Sequence, residues 1–252
     1  MDLMFARPRQ TVKDWEVELQ QTLEVCDRHL SLYQLTLERG TALFNAVAQK
    51  LTTVPDGDTA AEMYCVAVQM LESHGYLRYE VSNFAKPGAE SLHNLWCWHG
   101  GQYIGVGPGA HGRFAPRAAE SARREARIQT LEPIPWMREV ERCGHATRKI
   151  TPLSDLDVLE EMLVTGLRTR TGISNQTWCR LTGGTGLLEM FTAEEVVERI
   201  VASDLLHIDS SCMRATTKGL TVVDSIVVEL ISMLQCYWQN RYTDAETLDA
   251  KS

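Results

Sequence analysis

The first third of the chain alternates between short apolar runs and apolar residues at helical spacing. Residues 2–6 form an apolar run closed by a proline, which predicts a buried strand. A helix is predicted to begin after Thr11, with Asp14 completing a capping box, and to continue to Arg28. Residues 30–36 alternate in polarity like a second strand. Strand, helix and strand in this order predict a βαβ unit with parallel strands.

The middle of the chain carries a second helical pattern and then becomes rich in glycine and tryptophan. A helix is predicted over residues 58–74, followed by an extended segment over 76–82 and the Gly- and Trp-rich stretch 84–114. Residues 115–150 are expected to be a connector. Its local basic cluster, expected to be solvated, consists of Arg117, Arg123, Arg124 and Arg127.

Helical spacing returns in the last hundred residues. Ser154 is a predicted N-cap with acidic residues behind it, and the helix is expected over 156–167. A helix over 193–202, a hairpin over 205–213 and a helix over 217–236 should follow. The order of helix, hairpin and helix predicts a winged-helix-like unit.

These patterns predict an α/β chain, and the changes in composition divide it into four segments. The expected boundaries are 1–114, 115–150, 151–240 and a frayed polar tail at 241–252.

Charge and hydropathy exclude several classes of partner. The 252 residues contain 25 lysines and arginines against 33 acids, a net charge of −8, and residues 151–252 alone carry eight basic and fifteen acidic side chains. We therefore expect no nucleic-acid partner. The apolar runs are shorter than the roughly 20 residues of a transmembrane helix. With no targeting segment visible, a chain made from these residues alone is expected in the cytoplasm.

Seven cysteines lie far apart along the chain, each at least 24 positions from the next. This spacing argues against a disulfide framework and against paired cysteines holding a metal. No Ser-His-Asp, HExxH or P-loop pattern supports a hydrolase.

Four motifs follow one another between residues 79 and 133. They are Tyr-Glu-Val-Ser-Asn-Phe-Ala from Tyr79, His-Asn-Leu-Trp-Cys-Trp from His93, Tyr-Ile-Gly-Val-Gly-Pro-Gly-Ala-His-Gly from Tyr103, and Arg-Glu-Ala-Arg-Ile-Gln-Thr-Leu-Glu-Pro from Arg124. In this order they resemble the HemN/HemW radical S-adenosylmethionine (SAM) family, and within it the HemW-type haem chaperones.

This resemblance implies a fold and two cofactors. The implied fold is the C-terminal part of a partial (β/α)6 radical SAM barrel, followed by a mostly helical HemN-type C-terminal domain. The family implies a 4Fe-4S cluster on a CxxxCxxC loop, with SAM on its open iron. These 252 residues contain no such loop, and the chain would start at the penultimate barrel strand. We therefore expect neither cofactor to bind stably here, while the resemblance implies a mitochondrial location.

Three residues match later parts of the family's SAM site by position. They are Asp2 at a strand end, Thr36 at the end of the last barrel strand, and His111 in the Gly-Pro-Gly-Ala-His loop. Ordinary strand-end and loop packing is the alternative role for all three. The glycines of the same loop are explained by tight turns, not by a nucleotide.

The segment after His93, which we expect to be a loop, carries the candidate haem chemistry. Imidazole is a common axial ligand of haem iron, and indole rings offer flat apolar surfaces. The resemblance to the family's HNxxYW motif implies haem binding by four residues: His93, Asn94, Cys97 and Trp98. Cys97 replaces the family's tyrosine, so both His93 and Cys97 are candidate iron ligands, with His99 as a further competitor.

Two functions from different classes remain after this comparison. The resemblance favours a haem-binding chaperone that delivers haem to respiratory proteins, and the alternative is oxygen-independent coproporphyrinogen III oxidase. The missing cysteine motif argues against radical catalysis by these residues, so the enzyme class stays open. A third interpretation is an inert or regulatory fragment.

Overall fold

The computed structural model describes residues 1–116, 123–192 and 194–249, the last nine of them by backbone alone. The chain divides into two compact units, one over Met1–Ser91 and the other from Leu92 onward. The sequence pattern placed its first boundary at residue 114. The structure divides the chain earlier because the segment after Leu92 packs and pairs with later elements.

The first unit is an α/β arrangement of four strands and three helices. In chain order its elements are β1 (Asp2–Phe5), α1 (Val12–Val25), β2 (His29–Gln34), α2 (Ala42–Ala48), α3 (Gly57–Ser73), β3 (Leu77–Glu80) and β4 (Asn83–Ala85).

These strands form one mixed sheet in the order β1-β2-β4-β3. β1 and β2 are parallel, with Asp2 opposite Ser31, so the predicted βαβ unit is confirmed. β4 runs antiparallel between β2 and β3, with Phe84 opposite Leu30. The edge of β2 that faces away from β1 is therefore covered by β4, a strand from later in the chain.

The N-terminus of α1 has the predicted capping box. The Thr11 hydroxyl accepts a hydrogen bond from the Asp14 amide at 3.1 Å, and the Asp14 carboxylate accepts one from the Thr11 amide at 3.1 Å. The helix ends at Val25, not at Arg28 as predicted, because Cys26 adopts an extended conformation with ψ of 130°.

The first core lies between this sheet and the helices α1 and α3. Its fully buried side chains include Trp15, Leu19, Leu30, Met63 and Phe84. The Trp15 indole donates a hydrogen bond to the Met63 carbonyl at 3.0 Å and thereby joins α1 to α3.

The second unit starts with a short helix and a three-stranded antiparallel sheet in the order β5-β6-β7. These elements are α4 (Leu92–Trp98), β5 (His111–Phe114), β6 (Glu125–Gln129), α5 (Pro133–Cys143) and β7 (Thr147–Pro152). The segment predicted as a connector is thus largely regular, since β6 pairs with β5 and β7 pairs with β6.

The remainder is mainly helical, as predicted, around a small antiparallel sheet in the order β8-β10-β9. The elements are α6 (Asp155–Gly166), β8 (Ile173–Ser174), α7 (Asn175–Thr182), α8 (Leu187–Phe191), α9 (Glu195–Ala202), β9 (Leu206–Ile208), β10 (Cys212–Ala215), a 3-10 turn (Gly219–Thr221) and α10 (Val223–Asp249).

The predicted hairpin between two helices is formed by β9 and β10, which pair with Met213 opposite Ile208. α6 packs against α10 over a core that includes Leu163, Trp178 and Leu230. α10 is longer than the predicted helix, which ended at residue 236. The expected frayed tail therefore falls partly in its last turns, and residues 250–252 lie outside the described part of the chain.

None of the helices described in this structure combines the length and apolar character needed to cross a membrane.

Candidate functional site

The His93 segment, expected to be a loop, is the helix α4. This expectation was wrong because the seven residues from Leu92 to Trp98 contain neither glycine nor proline, and two glycines follow only at 100 and 101. The helical path fixes which side chains are neighbours: residues three and four positions apart share a face.

On one face of α4, His93 and Cys97 lie one turn apart. The His93 Nε2 atom is 3.9 Å from the Cys97 sulfur, with the imidazole exposed and the thiol half-buried. Two ligands this close approach an iron from the same side. Because the porphyrin leaves one axial position on each of its faces, only one of them can ligate a given haem iron.

The aromatic residues of α4 occupy different environments. Trp96 is 58% exposed, and its indole donates a hydrogen bond to the Gln102 carbonyl at 2.9 Å. Trp98 is half-buried and lines a cavity together with Cys97 and His99. Asn94 is half-buried.

This cavity has a volume of about 1180 Å³ and lies wholly within the second unit. It exceeds the upper end of the range of about 300–1,000 Å³ typical of small-molecule pockets, so it has room for a porphyrin. α4, β5, α6, α7 and β10 contribute to its walls. Its apolar lining includes Trp98, Leu153, Val158, Met162, Ile173 and Ile231.

Charged groups cluster on one wall of the cavity. The Arg113 Nε donates a hydrogen bond to the Glu161 carboxylate at 2.7 Å, and an Arg124 Nη1 donates one to the Gly100 carbonyl at 2.6 Å. The Arg124 Nε is buried and lies 3.9 Å from Glu161 Oε2, beyond hydrogen-bond distance. Among the residues that the structure describes, it has no hydrogen-bond partner. A ligand carboxylate in the cavity would supply one.

The arginines of this wall were not predicted as site residues. The basic cluster was expected to be solvated, yet the Arg124 side chain is only 21% exposed. Arg127 pairs with Glu125 and lies over the Phe114 ring. Arg117 lies outside the described residues. Arg124 lines the cavity and bonds to Gly100, a contact between segments far apart in the chain that its sequence pattern alone did not indicate.

The three candidate iron ligands differ in their relation to the cavity. Cys97 and His99 line it, whereas His93 and Asn94 are not among its lining residues. The His99 Nε2 is already 2.8 Å from the Thr171 hydroxyl. Cys97 is therefore the residue that both lies beside His93 and lines the cavity.

The predicted remnants of a SAM site belong to both units, Asp2 and Thr36 to the first and His111 to the second. Asp2 begins β1, and Thr36 lies two residues beyond the end of β2. Because the parallel register sets Asp2 opposite Ser31, five residues of strand, or roughly 16 Å, separate the two along the sheet. His111 is exposed at the start of β5, in the second unit. The structure does not bring Asp2 and Thr36 together.

The glycines before His111 have a structural role. A Cβ atom on Gly105 would lie 2.0 Å from the His111 carbonyl oxygen, and Gly107 has a φ of +113°, which favours glycine. The loop thus needs these glycines to turn back on itself, which agrees with the predicted tight turns.

The residues present do not fit a 4Fe-4S cluster. Such a cluster is held by several thiolates, and all seven cysteines are free and widely spaced. Within the described residues, the one group of three potential metal ligands whose atoms lie within 4.8 Å of one another contains a single cysteine, Cys212.

A family model and several known proteins match this chain in sequence. Residues 153–222 match the family described as HemN C-terminal domain. The chain is 49% identical over 241 residues to radical S-adenosyl methionine domain-containing protein 1, mitochondrial, of Mus musculus, covering 96% of this chain and 54% of the relative. It is 30% identical over 220 residues to heme chaperone HemW of Bacillus subtilis, covering 87% and 55%.

A solved structure agrees with the fold. Coproporphyrinogen III oxidase (HemN) from Escherichia coli, described as a radical SAM enzyme, matches with a TM-score of 0.68 over 94% of this chain and 54% of that chain. At 15% identity this match shows the fold alone. The predicted α/β fold with a HemN-type C-terminal domain is therefore confirmed, and the chain spans about half the length of the curated relatives it matches. By these matches the chain carries a HemN C-terminal domain at residues 153–222 and is similar to proteins of the HemN/HemW radical SAM family over about half of their length.

Proposed function

We propose that this chain binds haem through α4, as part of a haem chaperone of the HemW type. The observation that carries the proposal is the position of Cys97, which lies 3.9 Å from the His93 imidazole and lines a cavity large enough for a porphyrin. Relatives named heme chaperone support the same function.

Cys97 is the ligand that the cavity favours. A thiolate at this position would meet the iron from inside the cavity, while the Trp98 ring beside it offers apolar surface. The unpartnered Arg124 Nε and the neighbouring Arg123 are donors for the haem propionates. Ligation by His93 would instead hold haem on the exposed face of α4.

A single protein ligand on one face of the haem is suitable for a protein that carries haem to an acceptor. If α4 supplies a single axial ligand, the opposite axial position stays open to a ligand from an acceptor, so haem can pass on without first being released. We propose haem-accepting respiratory proteins as the acceptors, and mitochondria as the location, because the animal relatives are described as mitochondrial.

Titration of the purified chain with haem tests the proposal. Cys97→Ser should change the Soret absorption and weaken binding by about tenfold or more, which corresponds to about 1.4 kcal/mol. His93→Ala should have a smaller effect, because the imidazole lies outside the cavity lining. Cys143→Ser and His145→Ala remove an exposed thiol and an exposed imidazole elsewhere in the same unit and serve as controls.

The outcomes separate the candidate ligands. A changed spectrum in His93→Ala with a normal Cys97→Ser would move the haem to the exposed face of α4. If Cys97→Ser, His93→Ala and His99→Ala all titrate like the unchanged chain, haem binding by this segment is wrong.

A further inference from the structure

A second group of potential ligands lies on the hairpin of β9 and β10, away from α4. His207 and Asp209 are two positions apart, so their side chains lie on the same face of the strand. The Asp209 amide donates to the Cys212 carbonyl at 3.0 Å, which places Cys212 across the turn. One imidazole nitrogen, one carboxylate oxygen and the thiol sulfur all lie within 4.8 Å of one another.

The turn holds the Asp209 carboxylate in place. Its Oδ1 atom accepts hydrogen bonds from the Ser211 amide at 2.7 Å, the Ser211 hydroxyl at 2.6 Å and the Cys212 amide at 2.9 Å. Its Oδ2 atom lies 2.8 Å from the His207 Nε2.

The chemistry of the three donor atoms selects the kind of ion. Thiolate and imidazole are ligands of Zn²⁺ and related transition metals, whereas Ca²⁺ and Mg²⁺ require mostly oxygen ligands. We propose that His207, Asp209 and Cys212 bind a divalent transition-metal ion of the Zn²⁺ class through one nitrogen, one oxygen and one sulfur atom.

Three protein ligands leave a fourth tetrahedral position for water or another ligand. Cys212 and its neighbour Ser211 also line the large cavity of the second unit. An ion bound to Cys212 is therefore next to that cavity. Since His207 and Asp209 are each more than 40% exposed, solvent also reaches the site.

Cobalt substitution tests this site, because Co²⁺ takes the place of Zn²⁺ and reports on its ligands by absorption. The haem-free full chain should bind one Co²⁺ with a thiolate-to-cobalt charge-transfer band that Zn²⁺ abolishes. Cys212→Ser should remove this band. Cys212→Ser and His207→Ala should each weaken Zn²⁺ binding by more than about tenfold in competition with a chromophoric chelator, since even outer-shell partners contribute about 10- to 100-fold.

Matched variants distinguish this site from the other thiols and from α4. Cys236→Ser, at an exposed cysteine on α10, and the double variant His93→Ala, Cys97→Ser should both keep the cobalt band. Asp209→Asn keeps an acceptor for the turn while removing the charge, so it should weaken metal binding in a chain that still folds. Absence of a charge-transfer band in the unchanged chain, or its survival in Cys212→Ser, would overturn the proposal whatever the haem titration shows.

Discussion

At the scale of single residues, Trp15 is a main support of the first unit. The side chain is fully buried, its ring stacks on Phe5 with centroids 5.7 Å apart, and its indole bonds to the Met63 carbonyl. One residue thus joins β1, α1 and α3. A buried aromatic side chain with a satisfied polar group contributes both packing and a hydrogen bond to stability.

We expect Trp15→Ala to lower the free energy of unfolding of the first unit by about 3–5 kcal/mol, because it leaves a cavity in the core. Trp15→Phe should cost less, since it retains an aromatic ring and loses the hydrogen bond. Denaturation followed by circular dichroism measures both. Trp96→Ala, at the 58% exposed tryptophan of α4, is the control, and an equal loss for Trp96→Ala and Trp15→Ala would contradict this account.

The two candidate groups of ligands come together in different ways. His93 and Cys97 are neighbours because they lie four positions apart on a helix. His207, Asp209 and Cys212 meet because a hairpin turns between them. The first group was visible in the sequence as a motif, whereas the second was not predicted, because the expected hairpin did not indicate which side chains meet across its turn.

At the scale of elements, α6 connects the helical domain to the cavity. It begins with a capping box in which the Ser154 hydroxyl accepts a hydrogen bond from the Asp157 amide at 3.1 Å, as the sequence predicted for this cap. It buries Leu159 and Leu163 on one side and carries Glu161 to the arginines of the cavity wall. Its stability therefore affects both the core and the site.

Ser154→Ala should destabilise the second unit by about 1 kcal/mol, because an amide at the helix start loses its acceptor. Thermal denaturation measures the change. Ser154→Asp, which retains a side-chain acceptor, should stay close to the unchanged chain and serves as the control. If Ser154→Asp lost as much stability as Ser154→Ala, the contribution of the cap would not depend on a side-chain hydrogen-bond acceptor at this position.

The same cap should make the stability of the second unit depend on pH. The Ser154 hydroxyl and then its amide hold the pKa of Asp157 below its ordinary value of 3.8. Because the Asp157 carboxyl has a lower pKa in the folded chain than in the unfolded chain, its ionised form stabilises the fold at pH values above the unfolded pKa. This contribution to stability is lost as the pH falls through the folded pKa. The stability difference between the unchanged chain and Ser154→Ala should therefore be constant near neutral pH and shrink below about pH 3.8.

At the scale of the whole molecule, each of the two units has a core of its own. Trp15 and Phe84 belong to the first, and Trp178 and Leu230 to the second. In the part of the chain that the structure describes, β1 pairs with β2 alone and keeps one edge free. Apolar strand edges favour association between chains, so we expect this chain to be prone to aggregation.

Because each unit has its own core, we expect the two units to unfold locally and independently of each other. Hydrogen–deuterium exchange of the intact chain, followed by peptide mass spectrometry, should show faster exchange over residues 1–91 in Trp15→Ala, because that core is weakened. Peptides from α6 and from the first turns of α10 should exchange at unchanged rates. Equal acceleration in both units would show that they unfold as one cooperative body.

Local features of the fold were well predicted from the sequence. The capping box at Thr11, the N-cap at Ser154 and the hairpin before residue 213 depend on neighbours within a few positions, so the residues themselves specify them. The strands β5, β6 and β7 were not predicted. Their pairing joins segments far apart in the chain, and such pairing leaves little periodicity in any one segment.

The sequence by itself determined the βαβ unit, the helix caps, the glycine turns and the motifs that indicate the family, because each is encoded by spacing along the chain. The tertiary structure alone decided that Cys97 lines a cavity while His93 does not, that Arg124 is largely buried, and that Cys212 meets His207 and Asp209. These relations arise where separate elements pack or turn together. Burial and distance between such elements depend on packing and strand pairing, which no local pattern specifies.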